Sequence, residues 1–193
     1  MRYLIFEIKH WLKQPMTWIF LAINTLMIYG ATSSDSIQVG GSFGNIYKNA
    51  PFVIQNYYAV MSIITLLMTT AFIAASTLRD FTSNTYQIIY STPVSRNKYL
   101  LGRFLGATVV SVIPMIGVSL GIIIGCMMPW VDAEKIGPFI LSAHLSSIFF
   151  IALPNAFFTG SVIFWVASRT RNSMTSFISA LVLLVITVVA GNL

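Results

Sequence analysis

The sequence predicts an all-α membrane protein, a polytopic bundle of about five transmembrane helices preceded by an amphipathic helix lying at the membrane interface. Three observations predict it. Of 193 residues, 56% are hydrophobic and 8% are charged, where soluble domains carry about 25% charge and could not cover their core with less. The apolar residues fall in long runs without a charge, and the basic residues lie between those runs. Aromatic residues make up 13% of the chain, which excludes disorder, because disordered chains are poor in aromatic and β-branched side chains.

Residues 1–15 come first. At about 100° per residue, Leu4, Ile5, Ile8, Trp11 and Leu12 fall on one helical face. Arg2, Lys9, His10 and Lys13 fall on the other, with Tyr3 and Phe6 as exceptions. Pro15 ends the segment, since the residue before a proline is pushed out of the helical region. Such a helix lies in the interface plane, so Arg2, Lys9 and Lys13 are expected at anionic headgroups and Trp11 on the apolar side. Two competing readings are a plain cytoplasmic extension of the first span and a cleaved signal peptide. The latter would use Trp18–Tyr29 as its apolar region, with Gly30, Ala31 and Ser33 following, but its basic region would be unusually long.

A hydrocarbon core of about 30 Å takes roughly 20 apolar helical residues to cross. The uncharged runs place spans at about 16–31, 57–78, 104–130, 138–168 and 172–193, within a single transmembrane domain over 1–193. Basic residues then orient them. Arg2, Lys9, Lys13, Arg79, Arg96, Lys98, Arg103, Arg169 and Arg171 lie on one side, nine against only Lys48 and Lys135 on the other. The basic side is cytoplasmic, so the N-terminus is expected inside. The same placement assigns the net charge of +6 to membrane topology rather than to nucleic acid.

Inside the spans there is almost no ionisable chemistry. Every Asp, Glu, Lys and Arg lies in a loop or at a span end, and His144 alone falls within a run. Proton-driven carriage, which needs mid-membrane carboxylates, loses support, and a packed or hydrogen-bonded His144 is the expectation. No P-loop, H-E-x-x-H or G-x-S-x-G motif occurs, so the chain is not expected to be an enzyme or to hold a cofactor. A remote alternative is an intramembrane hydrolase pairing His144 with Ser142, Ser146 or Ser147. The lone Cys126 allows neither an intrachain disulfide nor a multi-cysteine metal site. Gly102 and Gly106, and Gly117, Gly121 and Gly125, recur every fourth residue, where backbones can approach closely. Pro114 and Pro154 are expected to kink their spans. Asn24, Asn155 and the many Ser and Thr residues either staple helices or line a polar path, stapling being the simpler expectation.

The sizeable cytoplasmic loop, 79–103, is patterned. Asn84–Tyr90 reads as a short helix capped by Thr82 or Ser83 and carrying Tyr86, Ile88, Ile89 and Tyr90. Ser91-Thr92-Pro93 ends it, and Ser95 caps a new helix starting at Arg96. A compact apolar and aromatic helix on the cytoplasmic face is something a partner subunit can grip.

Arg79-Asp80, the polar–aromatic helix, the turn Ser91-Thr92-Pro93-Val94-Ser95-Arg96 and the lead-in Leu101-Gly102-Arg103-Phe104-Leu105-Gly106 together resemble the permease domain of ABC transporter type-2 exporters. The N-terminal "elbow" helix and the order of spans extend that resemblance over essentially the whole chain. The resemblance implies that Phe81–Tyr90 is the coupling segment, seated in a cleft of an ABC ATPase subunit. It places Arg79 and Asp80 where the second span meets the cytoplasm; the family has an acid one methylene longer than Asp80. It further implies a second permease half, as homo- or heterodimer, and a bacterial cytoplasmic (inner) membrane. The family usually has six spans per half, so a chain of five is expected to be a truncated product or a piece of a longer permease. A non-transporting polytopic anchor that recruits a cytoplasmic partner through the same loop is the alternative. Substrate identity stays open among lipids, drugs, peptides and polysaccharides.

Overall fold

The structure is a computed structural model that describes residues 2–34, 46–83, 87 and 95–191, with backbone only at Arg2 and Arg96. The helices are α1 (Arg2–Leu12), α2 (Pro15–Ser33), α3 (Pro51–Thr82), α4 (Arg96–Cys126), α5 (Leu141–Thr170) and α6 (Ser173–Gly191). A 3-10 turn, Ala133–Lys135, lies between α4 and α5. Among the described residues there is no strand, and the five helices α2 to α6 are long and apolar enough to cross a membrane. The all-α membrane fold expected from composition is therefore the observed one.

Local signals set the helix ends. Pro15 and Pro51 open α2 and α3 at the first helical position, where the missing N–H is not needed. The Ser95 carbonyl accepts the first helical bond of α4 from the Tyr99 N–H at 3.1 Å. Arg171, at φ 52°, closes α5, and Asn172 Oδ1 accepts the Met174 N–H at 2.9 Å, capping α6. The helices overrun the uncharged runs. α3 begins before Tyr57 and carries Arg79 and Asp80 in its last turns, while α4 begins at Arg96 and stops at Cys126, short of Trp130. Charge raises the cost of lying in lipid but does not end a helix, so the 32 residues of α3 rise about 48 Å, beyond the core thickness.

The chain forms two compact units, each drawing on α3, α4 and α5. Residues 16–65 and 112–154 make one of them, around Ile28, Ile54, Tyr58, Met61, Met115 and Ile122. Here α2 lies in the glycine row of α4: a Cβ on Gly121 would come 2.7 Å from the Thr25 carbonyl oxygen, a backbone atom that cannot rotate away. Asn24 Nδ2 donates to the Pro114 carbonyl at 2.9 Å. Tyr58 Oη, Ser119 Oγ and His144 Nδ1 form a buried chain with links of 2.7 and 2.8 Å, so His144 is hydrogen-bonded and also stacked on Phe139. In α5 the turn Ile148–Ala152 widens to π geometry directly before Pro154, whose ring would otherwise press on the carbonyl four residues back.

The other unit, residues 1–15, 66–111 and 155–193, has its core at Leu66, Ile73, Phe104, Ala107, Ile163 and Ala180. Phe104 meets Phe157 and Phe164 edge-on or tilted, at 5.5 and 5.2 Å. On α6, Ile178, Leu181, Val182, Val185, Ile186 and Val189 are exposed, an apolar surface suited to lipid.

Candidate functional site

The site is built where α1 crosses the first turns of α4. Gly106 makes the crossing close: a Cβ there would stand 2.7 Å from Glu7 Cβ, and one on Gly102 would stand 2.8 Å from Tyr3 Cβ. The first glycine pair thus seats α1. Glu7, on the face so applied, is fully buried.

A buried carboxylate persists only when paired and hydrogen-bonded, and Glu7 is both. Its Oε1 accepts from Trp11 Nε1 at 3.0 Å and from Ser76 Oγ at 2.6 Å. Its Oε2 accepts from Arg79 Nη2 at 2.6 Å, with Arg103 Nε at 3.9 Å. Asp80 Oδ2 in turn accepts from Arg103 Nη1 at 2.5 Å and from Tyr99 Oη at 2.8 Å. Two acids and two arginines therefore form one neutral cluster joining α1, the end of α3 and the start of α4. Asp80, although a methylene shorter than the acid usual in the family, reaches its arginine. Arg103 also lies over the Tyr99 ring at 5.2 Å and Arg79 over Phe6 at 5.9 Å. Among the described residues, Arg79 Nη1 is buried with no hydrogen-bond acceptor.

The predicted site residues divide accordingly. Arg79, Asp80 and Arg103 come together at the base of the loop. Phe81 stands just beyond, with the Arg171 guanidinium over its ring at 4.7 Å. Ser95 is at the N-cap position and Arg96 opens α4. Gly102 lies against α1. Tyr86, Ile88, Ile89, Tyr90 and Pro93, with most of the expected helix Asn84–Tyr90, lie outside the described residues; Gln87 within it is helical. Lys9 and Lys13 are exposed, as an interfacial helix requires, and the side chain of Arg2 lies outside the described residues.

On α1, Trp11 of the apolar face is buried, edge-on to Phe72 at 5.0 Å, while Ile5, Phe6 and Leu12 are exposed. The row turned to the protein is Leu4, Glu7 and Trp11, with the Trp11 indole N–H donating to Glu7. Glu7 and Tyr99 were not singled out from sequence. The signal for Glu7 was present: a lone acid in a basic helix, spaced three and four residues from Leu4 and Trp11.

His10, beside the cluster, has its imidazole lowered below the usual 6.5, first by burial and then by the Arg79 charge. Its Nε2 accepts from Gln14 Nε2 at 3.0 Å, a bond that suits the neutral ring. Among the described residues no group of His, Cys, Asp and Glu could hold a metal ion.

Compared with known families, the chain matches the ABC-2 family transporter proteins over residues 3–193. No curated protein and no solved structure shows a significant match to it.

Proposed function

The chain belongs to the ABC-2 family of transporter proteins and is a membrane permease component of an ABC transporter, and on that premise we propose that it drives export through the loop 79–103. In this reading an ABC ATPase subunit grips Phe81–Tyr90, and its closure on ATP is passed to the helix bundle. A second permease half completes the translocation path. The N-terminus and the loop face the cytoplasm of a bacterial cell, and the spans cross its inner membrane, in keeping with nine basic residues on that side.

The observation that carries the reading is the ionic cluster at the loop's base. A loop that transmits force needs a stiff footing, and Asp80 on α3 bonded to Arg103 on α4 closes that footing at 2.5 Å. Around it, the apolar and aromatic content of Phe81–Tyr90 exceeds what a helical connector needs and fits a protein cleft.

The test is mild-detergent purification of the full chain from its own membranes, with mass spectrometry of what accompanies it. A stoichiometric P-loop ATPase, lost when Phe81–Tyr90 is scrambled, is expected. Purification without any ATPase, under conditions that hold a known transporter together, would leave a membrane anchor instead.

A further inference from the structure

We propose that Glu7 is a positioning residue that pins both ends of the coupling loop, making α1 part of the coupling apparatus rather than only a membrane float. The proposal rests on the loop being the ATPase contact. The loop leaves α3 at Thr82, within a turn of Arg79 and Asp80, and returns into α4 at Arg96, one turn before Tyr99 and two turns before Arg103. Glu7 reaches both sides: Oε2 is 2.6 Å from Arg79 Nη2 and 3.9 Å from Arg103 Nε. Without the Glu7 carboxylate, two arginines, Arg103 buried and Arg79 partly exposed, would share one acid, Asp80. Trp11 and Ser76 fix the carboxylate from the other side, so its position is set before any partner arrives.

Geometry on α4 supports the same role. Gly106 lies directly under Glu7, and any larger residue there would lift the carboxylate from the two arginines it serves. Among the described residues, Arg79 Nη1 is buried with no acceptor.

The experiment uses the full chain with Cys126→Ser, spin-labelled at Ser83→Cys and Ser95→Cys, both exposed positions at the two ends of the loop. Interspin distances are read in detergent and again in the complex with the ATPase. Glu7→Gln, which keeps the shape and removes the charge, should broaden the distance distribution in properly inserted protein. It should also lower ATPase retention by roughly two- to thirty-fold, the range for residues that modulate coupling without touching the ligand. The double variant Glu7→Gln, Arg79→Gln should be no worse than Glu7→Gln alone, because the pair acts as one unit. Should Glu7→Gln fail to insert, Glu7→Asp tests the same point: charge kept but withdrawn by one methylene should give an intermediate distribution. An unchanged distribution in inserted Glu7→Gln or Glu7→Asp, or additive losses in the double variant, overturns the proposal. If the wild-type chain retains no ATPase while the distances still respond to Glu7, the pin stands and the ATPase reading falls.

Discussion

At the scale of single residues, the energetics concentrate on the few charges the chain carries. Asp80 accepts from both Arg103 and Tyr99, and Arg103 is itself almost fully buried. Asp80→Ala would strand that guanidinium, so a loss of about 3–5 kcal/mol in stability is expected, read by denaturant titration of the purified protein. Tyr99→Phe removes one bond to a carboxylate and should cost less, about 1.5–3 kcal/mol. His10 adds a pH dependence of known sign. Its folded pKa is lowered, so its contribution to stability is complete above pH 6.5 and falls away as the pH drops below that value. A melting temperature that declines through this window in the wild type, and declines less in His10→Gln, would confirm it. These residues were only half legible in the sequence. Arg79, Asp80 and Arg103 stood out because charge is scarce; Glu7, the lone acid of α1, carried the same signal, but the sequence does not show that Ser76, Arg79 and Arg103 are brought to it by α3 and α4.

At the scale of elements, α4 is organised by its glycines. Gly102 and Gly106 receive α1, while Gly117 and Gly121 receive α2. Fourfold spacing announced a close approach but could not say to what, because small residues mark a groove and not its occupant. Gly121→Val must separate α2 from α4, since the nearest atom is the Thr25 carbonyl oxygen at 2.7 Å. A destabilisation of about 1–3 kcal/mol or more is expected, visible as a lower melting temperature in detergent. The stapling expected of the polar residues holds for some, as Asn24 shows, while other hydroxyls bond within their own helix. Thr65, Thr70, Thr77, Thr108 and Ser147 each donate to a carbonyl four residues back in their own helix. Others do staple helices: Thr65 also donates to Met115 Sδ at 3.1 Å, Ser76 donates to Glu7, and Tyr58, Ser119 and His144 bridge three helices inside one unit. The π turn before Pro154 was signalled by the proline alone, which marks a disturbed ladder without specifying its form.

At the scale of the whole molecule, fold class and membrane character were readable from charge scarcity and run length, because the bilayer permits so few backbone solutions. Span ends were less readable, since α3 and α4 continue as helix well past their first charges. The nine basic residues on one side predict that this side is cytoplasmic. A cysteine placed at Gln87 should react with an impermeant thiol reagent only after the inner face is opened, and one placed at Lys135 should react in intact cells. The reverse pattern would invert the orientation. The central claim is that the loop passes the ATPase's motion to the helices. The most direct measurement is ATP hydrolysis by the reconstituted full chain with its ATPase, compared between wild type and Ile88→Asp, Ile89→Asp. Coupling through the loop predicts normal membrane insertion of the variant with loss of the permease's control over hydrolysis. Hydrolysis in the variant that responds to the permease as in the wild type would contradict it.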